Sequence, residues 1–278
     1  MLTVLELKSL LKTHDLRLTK RRGQNYLIDA QAIRRVVDAC ELSGEETVVE
    51  IGAGLGALTE PLAERARHVI AIEVDRGIAA LLRGRLAGRG HVDVQCADML
   101  EMPWPSPHPA VVVGAIPYHI TSQIVARLCE ERRAIQRAVL IVQEEVADRL
   151  TARPGTKAYG RLSVLMQWSW EATRIFRLAR SAFFPQPDVD SSCLRLRPQR
   201  QPPAAVDNET VLFEVVKTAF SHRRKTLINC LCDSAFGLAR SHAAALVERA
   251  GLPPHVRGET LSLAQFAALA NAISSGSV

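Results

Sequence analysis

The chain has no CxxC pair and no Cys/His cluster that supplies four ligands, which excludes a structural zinc site of the usual kinds. Its six cysteines stand at 40, 96, 129, 193, 230 and 232, and only the last two are close. Scattered in this way, they read as thiols buried as small apolar groups in a reducing compartment. No window of 18 residues is apolar enough to span a bilayer, so no membrane partner is expected. Nor do residues 1–6 show a basic region followed by an uninterrupted apolar run, and a cytoplasmic protein is expected. Internal repeats and low-complexity segments are also missing.

What is present is a chain of 278 residues, 47% hydrophobic and 23% charged. That is ample for one large domain with a smaller one attached. A formal charge of +6 permits nucleic acid as a partner without establishing it. Within residues 1–25, Lys8, Lys12, Arg17, Lys20, Arg21 and Arg22 face only Glu6 and Asp15, so much of the excess sits in a basic arm. A solvated tail is the alternative reading of that run.

Short β-branched runs at 47–51, 68–73, 92–96, 110–113 and 138–143 alternate with helical rhythms at 31–41, 58–66, 76–87 and 121–132. This alternation predicts a doubly wound α/β sheet. Segments 163–178 and 192–197 read as further strands, with 183–187 as the connection between them. The proline-rich stretch from Pro198 reads as a linker. The predicted regions are a basic arm over 1–25, a catalytic domain over 26–200 and a helical domain over 201–278. Helices are expected in the last at 208–222, 223–236, 241–250 and 262–273.

Gly52-x-Gly54-x-x-Ala57 follows the first of these strands, and Glu73 closes the second. Glycines let the backbone approach a ligand, and the carboxylate can take two ribose hydroxyls. The pattern suits NAD and S-adenosylmethionine equally, because both carry an adenosine. Asp98 follows the third strand, where an isolated Asp more often caps a helix. A dehydrogenase needs a hydride-handling His, Tyr or Lys beside a nicotinamide pocket, and the fourth strand offers none. It runs instead into Gly114-Ala115-Ile116-Pro117-Tyr118. Methylating an exocyclic amine requires a flipped base, stacked on an aromatic and held at its edge. Tyr118 is the candidate for the stack.

Six segments in order carry a resemblance: Gly23-Gln24-Asn25-Tyr26-Leu27, the run from Glu50 to Thr59, Gly114 to Tyr118, Lys157 to Ser163, Phe183 to Ser191, and Phe220 to Thr226. The chain resembles the bacterial small-subunit ribosomal RNA adenine dimethyltransferase family. Those enzymes place two methyl groups on each of two adjacent adenines near the 3′ end of 16S RNA. The resemblance implies a Rossmann-like class I methyltransferase sheet with a small all-helical domain, S-adenosylmethionine as cofactor, 16S rRNA in the immature 30S subunit as partner, and a monomer. It implies cofactor contacts at Asn25, Leu27, Gly52, Gly54, Glu73 and Asp98, and at Ala115 as a position only, because the family's Asn falls there. It implies catalytic roles for Ile116, Pro117 and Tyr118, with Phe183 facing Tyr118 across the flipped adenine. Arg21, Arg22, Arg223, Arg224 and Lys225 would meet RNA phosphates, which position the RNA without reading its sequence.

The N6 lone pair of adenine is delocalised into the ring, and acceptors at the loop draw it back towards a tetrahedral nitrogen. In the family the Asn side chain and the next backbone carbonyl, here that of Ile116, share this task. Losing one such preorganised group costs about 10²–10³ in rate by analogy with oxyanion holes. Ala115 is therefore expected to slow the chemistry while sparing the fold and the RNA surface. His119 is the candidate replacement acceptor. Two other readings stand beside this one: an RNA-binding ribosome-assembly factor on the same scaffold, and a methyltransferase for a substrate other than an adenine amine.

Overall fold

Parallel strands buried on both faces need unbroken apolar runs, and Val48, Val49, Val69, Val111, Val112 and Val113 are all fully buried. The computed structural model, which describes residues 3–16 and 25–275, pairs these runs into one sheet. By contacts the chain divides into two compact units, Met1–Ala147 with Glu171–Pro198, and Asp148–Trp170 with Gln199–Val278.

The first unit opens with α1 (Val4–Thr13), β1 (Tyr26–Leu27) and α2 (Ala30–Ala39). The doubly wound part follows as β2 (Thr47–Ile51), α3 (Thr59–Ala63), β3 (His68–Glu73), α4 (Arg76–Arg85), β4 (Val92–Cys96), β5 (Ala110–Ala115), α5 (Thr121–Glu130) and β6 (Ile135–Gln143). After α6 (Glu144–Leu150) and α7 (Arg161–Ser169) come β7 (Trp170–Leu178), β8 (Phe183–Phe184) and β9 (Ser191–Pro198). The seven-stranded sheet has the order β4-β3-β2-β5-β6-β9-β7. Strands β4, β3, β2, β5 and β6 run parallel, and β9 is antiparallel to β6. The chain winds outward from β2 to β4 and returns on the other side of β2 as β5. That reversal opens a crevice beyond the carboxyl ends of β2 and β5, where ligands of such sheets bind.

Local chemistry sets the helices. Asp29 caps α2 by accepting from the Ala32 N–H at 2.7 Å, and Asp75 caps α4 through the N–H groups of Gly77 and Ile78. Ile33, Val36 and Val37 give α2 one buried face. The basic arm departs from a simple tail. Thr3 and Glu6 form a reciprocal cap at the start of α1, and Leu7 and Leu11 are buried against Tyr26, Leu55, Ile78 and Leu81. Arg21 and Arg22 lie outside the described residues.

The second unit gathers α7 with α8 (Glu209–Ala219), α9 (Leu227–Cys232), α10 (Arg240–Arg249) and α11 (Leu263–Ser274). Three expectations change. Residues 163–169, read as strand, are helical although Leu162, Val164, Met166 and Trp168 stand at alternate positions, and the strand begins only at Trp170. Val164 and Trp168, four residues apart, share a core with Leu212, Val215 and Phe266, and Trp168 Nε1 donates to Glu209 Oε1 at 3.0 Å. Helical neighbours thus override the alternation. For the same reason Asp148–Trp170 clusters with the C-terminal helices, whereas the predicted boundaries were 26–200 and 201–278. Residues 183 and 184, expected in a connection, form β8, whose Phe183 pairs with Leu27 of β1.

Charge is unevenly shared. The helical unit has 12 lysines and arginines against 7 aspartates and glutamates, while residues 26–147 and 171–198 together have 17 against 20. The positive excess therefore lies in the helical unit as well as in the arm.

Gly114 on β5 has no room for a side chain, because an added Cβ would stand 2.8 Å from the Ile51 carbonyl oxygen and 2.9 Å from Ile116 Cδ1. Gly114→Ala is expected to cost about 1–3 kcal/mol in urea denaturation. Gly84→Ala, where nothing lies within 4 Å, is the matched control and should not destabilise.

Candidate functional site

The crevice at the ends of β2 and β5 holds a cavity of about 320 Å³. Ten of the residues singled out from the sequence line it: Asn25, Leu27, Gly52, Gly54, Glu73, Asp98, Ala115, Ile116, Pro117 and Phe183. Residues 26–27, 50–54, 72–74, 97–99, 115–120 and 183 come together only through the sheet order.

The turn after β2 is built for close approach. Gly52 and Gly54 have φ of 73° and 56°, a region that costs glycine nothing. A Cβ on Gly54 would lie 2.8 Å from the Tyr26 ring. The N–H groups of Gly52 and Ala53 both donate to the Ile72 carbonyl, which ties the turn to β3. Glu73, 6% exposed, accepts from the Gly54 N–H on Oε2 and the Asp75 N–H on Oε1, each at 2.9 Å. Its carboxylate is thus held in one orientation at the cavity wall.

Asp98 plays a local part as well. Its Oδ1 accepts from the Leu100 N–H at 2.8 Å, so it organises the turn after β4 while bordering the cavity. In the loop after β5, the Ile116 N–H donates to the Ile141 carbonyl of β6 at 3.0 Å. The Pro117 carbonyl accepts from the Ile120 N–H at 3.1 Å and from Thr121 Oγ1 at 3.2 Å. Tyr118 begins a 3-10 turn over Tyr118–Ile120, and its side chain lies outside what is described. Phe183 is 4% exposed and shares the core of the first unit with Leu27 and Ile33, so it serves packing and lines the cavity too.

Three lining residues with titratable side chains were not among those singled out for cofactor or catalysis. His119 was named only as a substitute acceptor. Tyr26 sits inside a quoted motif, and its hydroxyl is buried with no hydrogen-bond partner among the described residues. Burial pushes its phenol up, and the nearby carboxylates of Glu73 and Asp75 add to this. Glu50 is 2% exposed and accepts from Thr59 Oγ1 on Oε2 at 2.6 Å. Burial pushes its carboxyl up to about 8; the Thr59 hydrogen bond opposes this and the Glu73 carboxylate reinforces it. One acidic residue in the otherwise apolar run of β2 was the available signal.

Of the residues expected to meet RNA, Arg223, Arg224 and Lys225 lie in the helical unit. Arg223 donates to Glu259 Oε2 at 2.8 Å and to the Lys157 carbonyl at 2.5 Å, and Lys225 pairs with Asp233 at 2.9 Å. Arg224 is exposed and has no ion-pair partner among the described residues. No group of three or more metal-ligating side chains and no helix long and apolar enough to cross a membrane occurs among the described residues.

Glu50 yields a pH prediction. Unfolded, it releases its proton near about pH 4.3, the ordinary glutamate value; folded, it keeps it until about pH 8. The folded state therefore holds the extra proton across that window, and stability falls as pH rises through it. Glu50→Gln should flatten this slope and leave the variant ~2–4 kcal/mol more stable than the parent at pH 8. Urea midpoints at pH 6 and pH 8 measure the difference; parallel slopes would refute the assignment.

Residues 16–274 match the family described as ribosomal RNA adenine dimethylase. The chain is 40% identical over 279 residues to a ribosomal RNA small subunit methyltransferase A from Geobacillus thermodenitrificans (strain NG80-2), covering 96% of this chain and 94% of that one. A protein of the same name from Bacillus cereus (strain B4264) is 39% identical over 276 residues, covering 96% and 94%. Among solved structures, the 23S rRNA methyltransferase ErmE is similar with a TM-score of 0.68 and 31% identity, over 90% of this chain and 100% of that one. A dimethyladenosine transferase from Plasmodium falciparum shares the fold, with a TM-score of 0.75 at 24% identity over 87% and 95%.

Proposed function

The chain belongs to the ribosomal RNA adenine dimethylase family, and on that premise we propose that it dimethylates the N6 amines of two adjacent adenines near the 3′ end of 16S rRNA. We place this activity in the cytoplasm, on the immature 30S subunit, with S-adenosylmethionine as cofactor and the protein acting as a monomer. The observation that carries the cofactor reading is the Glu73 carboxylate, oriented by two backbone N–H groups beside two glycines of positive φ. The relatives named for the small subunit support 16S rather than 23S RNA as substrate.

The site suits an adenosine-bearing cofactor. A carboxylate offers about four acceptor positions, so Glu73 can take ribose hydroxyls while keeping its backbone partners. Gly52 and Gly54 let the ligand meet bare backbone, and the buried Tyr26 hydroxyl is a polar atom that a ligand can satisfy. Asn25, Leu27, Asp98 and the backbone at Ala115 complete the proposed cofactor contacts. When bound, S-adenosylmethionine supplies a methyl group already activated on a sulfonium. The chain's own residues then have to bring the amine to it. Ile116, Pro117 and Tyr118 hold the flipped adenine against Phe183, the Ile116 carbonyl accepts from the amine, and the apolar lining of Leu27, Ile141 and Phe183 excludes water.

Methyl-donor incorporation into undermethylated 30S particles, located by reverse-transcriptase arrest at dimethylated adenines, tests the activity. For the cofactor, Glu73→Ala should weaken S-adenosylmethionine binding in calorimetry by about 10- to 100-fold, the worth of hydrogen bonds to a charged group. An unchanged Kd would remove Glu73 from the site.

For the RNA, Arg21 and Arg22 in the arm and Arg223, Arg224 and Lys225 in the helical unit are the proposed phosphate contacts. Arg224→Ala should lower the slope of log affinity against log salt by about one unit. Arg223→Ala and Lys225→Ala should change it less, because each charge already has an internal carboxylate partner. Equal slopes for Arg224→Ala and the parent would take this turn out of the interface.

A further inference from the structure

An adenine amine becomes nucleophilic only when acceptors on its N–H groups localise the nitrogen lone pair, and acceptors around the loop after β5 are few. Ala115 has none on its side chain. Both lone pairs of the Pro117 carbonyl are engaged, by the Ile120 N–H and Thr121 Oγ1. The Ile141 carbonyl already accepts from the Ile116 N–H. Ser191 lines the cavity but is fully buried, with a hydrogen-bonding or electrostatic partner of its own. His119 differs from all of these. It lines the same cavity as Ala115, it is exposed, and it makes no hydrogen bond among the described residues. It sits mid-turn in Tyr118–Ile120, directly before α5, and Ile124 of that helix lines the cavity too.

We infer that His119 is a catalytic residue, the side-chain acceptor for the target amine in a pocket where residue 115 supplies none. This rests on the adenine-N6 methylation proposed above. A neutral imidazole has one acceptor nitrogen. It takes a hydrogen bond from one N–H of the amine while the Ile116 carbonyl takes the other. As the N–C bond forms and the S–C bond breaks, sulfur keeps the bonding pair and the amine nitrogen becomes cationic. Its proton passes to the imidazole and from there to water. The monomethylated amine still has one N–H for the second round. The dimethylated amine has none, so the grip of His119 ends with the last transfer.

The test uses the full chain and immature 30S particles under single-turnover conditions, with the parent, His119→Ala, Ala115→Asn and the double variant. His119→Ala should slow transfer by about 10²-fold, the usual worth of a positioned proton acceptor. Ala115→Asn should raise the rate of His119→Ala by about 10²-fold and gain less on the parent, because one acceptor substitutes for the other. A second readout needs no turnover. With S-adenosylhomocysteine bound, the parent should prefer RNA carrying adenine over RNA carrying purine without its exocyclic amine, and His119→Ala should lose that preference. Calorimetry should show S-adenosylmethionine binding to His119→Ala within about twofold of the parent, since the exposed ring supports neither the fold nor the cofactor. Should His119→Ala methylate at the parent rate with the preference intact, the inference is overturned and the proposed function stands. Should none of the four methylate although the cofactor binds, both are overturned.

Discussion

The register of β2 against β5 is the constraint on which the site depends. Ile51 pairs with Gly114, so the turn at Gly52 and the loop at Ala115 leave the sheet side by side. The strands approach so closely that Gly114 has no space for a methyl group, and the Ala115 carbonyl comes within 3.8 Å of where a Gly52 Cβ would lie. Two segments more than sixty residues apart thereby become the two sides of one cavity. A shift of one residue would turn every side chain of β5 to the opposite face and separate them. Strand pairing also carries Leu27 and Phe183 to the same place, through the short ladder of β1 with β8.

Electrostatics within this frame is unequal by design of burial. Glu73 keeps backbone donors for its carboxylate, whereas Glu50, one strand away and 2% exposed, has a single hydroxyl partner and holds its proton up to about pH 8. Two carboxyls facing one cavity need not both be charged, and the desolvated one gives way. A neutral acid in the wall limits the repulsion that two carboxylates would otherwise bring into a space of about 320 Å³. The chain also separates its charges over a longer range. Residues 26–147 and 171–198 lean acidic, while the arm and the helical unit carry the positive excess.

Some elements were legible because their cause is local. The strands 47–51 and 68–73 lie where β-branched runs placed them, since parallel strands buried on both faces tolerate little else, and the edge strand 92–96, with only Val94 buried, also lies within its expected bounds. The glycine turn was equally readable, because positive φ selects glycine whatever surrounds it. Helix α7 was not. Leu162, Val164, Met166 and Trp168 stand at alternate positions as in a strand, and the neighbouring helices, which take Val164 and Trp168 into a shared core, decide between the two. Helix α1 was similarly hidden, because six basic residues masked the spacing of Leu7 and Leu11.

By itself the sequence determined the alternation of strands and helices, the glycine turn with its acid, and the family to which the chain belongs. Each of these depends on residues near one another in the chain, or on several short motifs in a fixed order. The tertiary structure alone decided which of those residues share a cavity, that Glu50 is desolvated there, and that His119 reaches the same space as Ala115. It also decided that Arg223 and Lys225 are tied to carboxylates while their neighbour Arg224 has no ion-pair partner among the described residues. The physical reason is common to all of these. Proximity across a sheet, loss of water and pairing of charge are properties of residues distant in sequence, and they exist only once the strands have found their register.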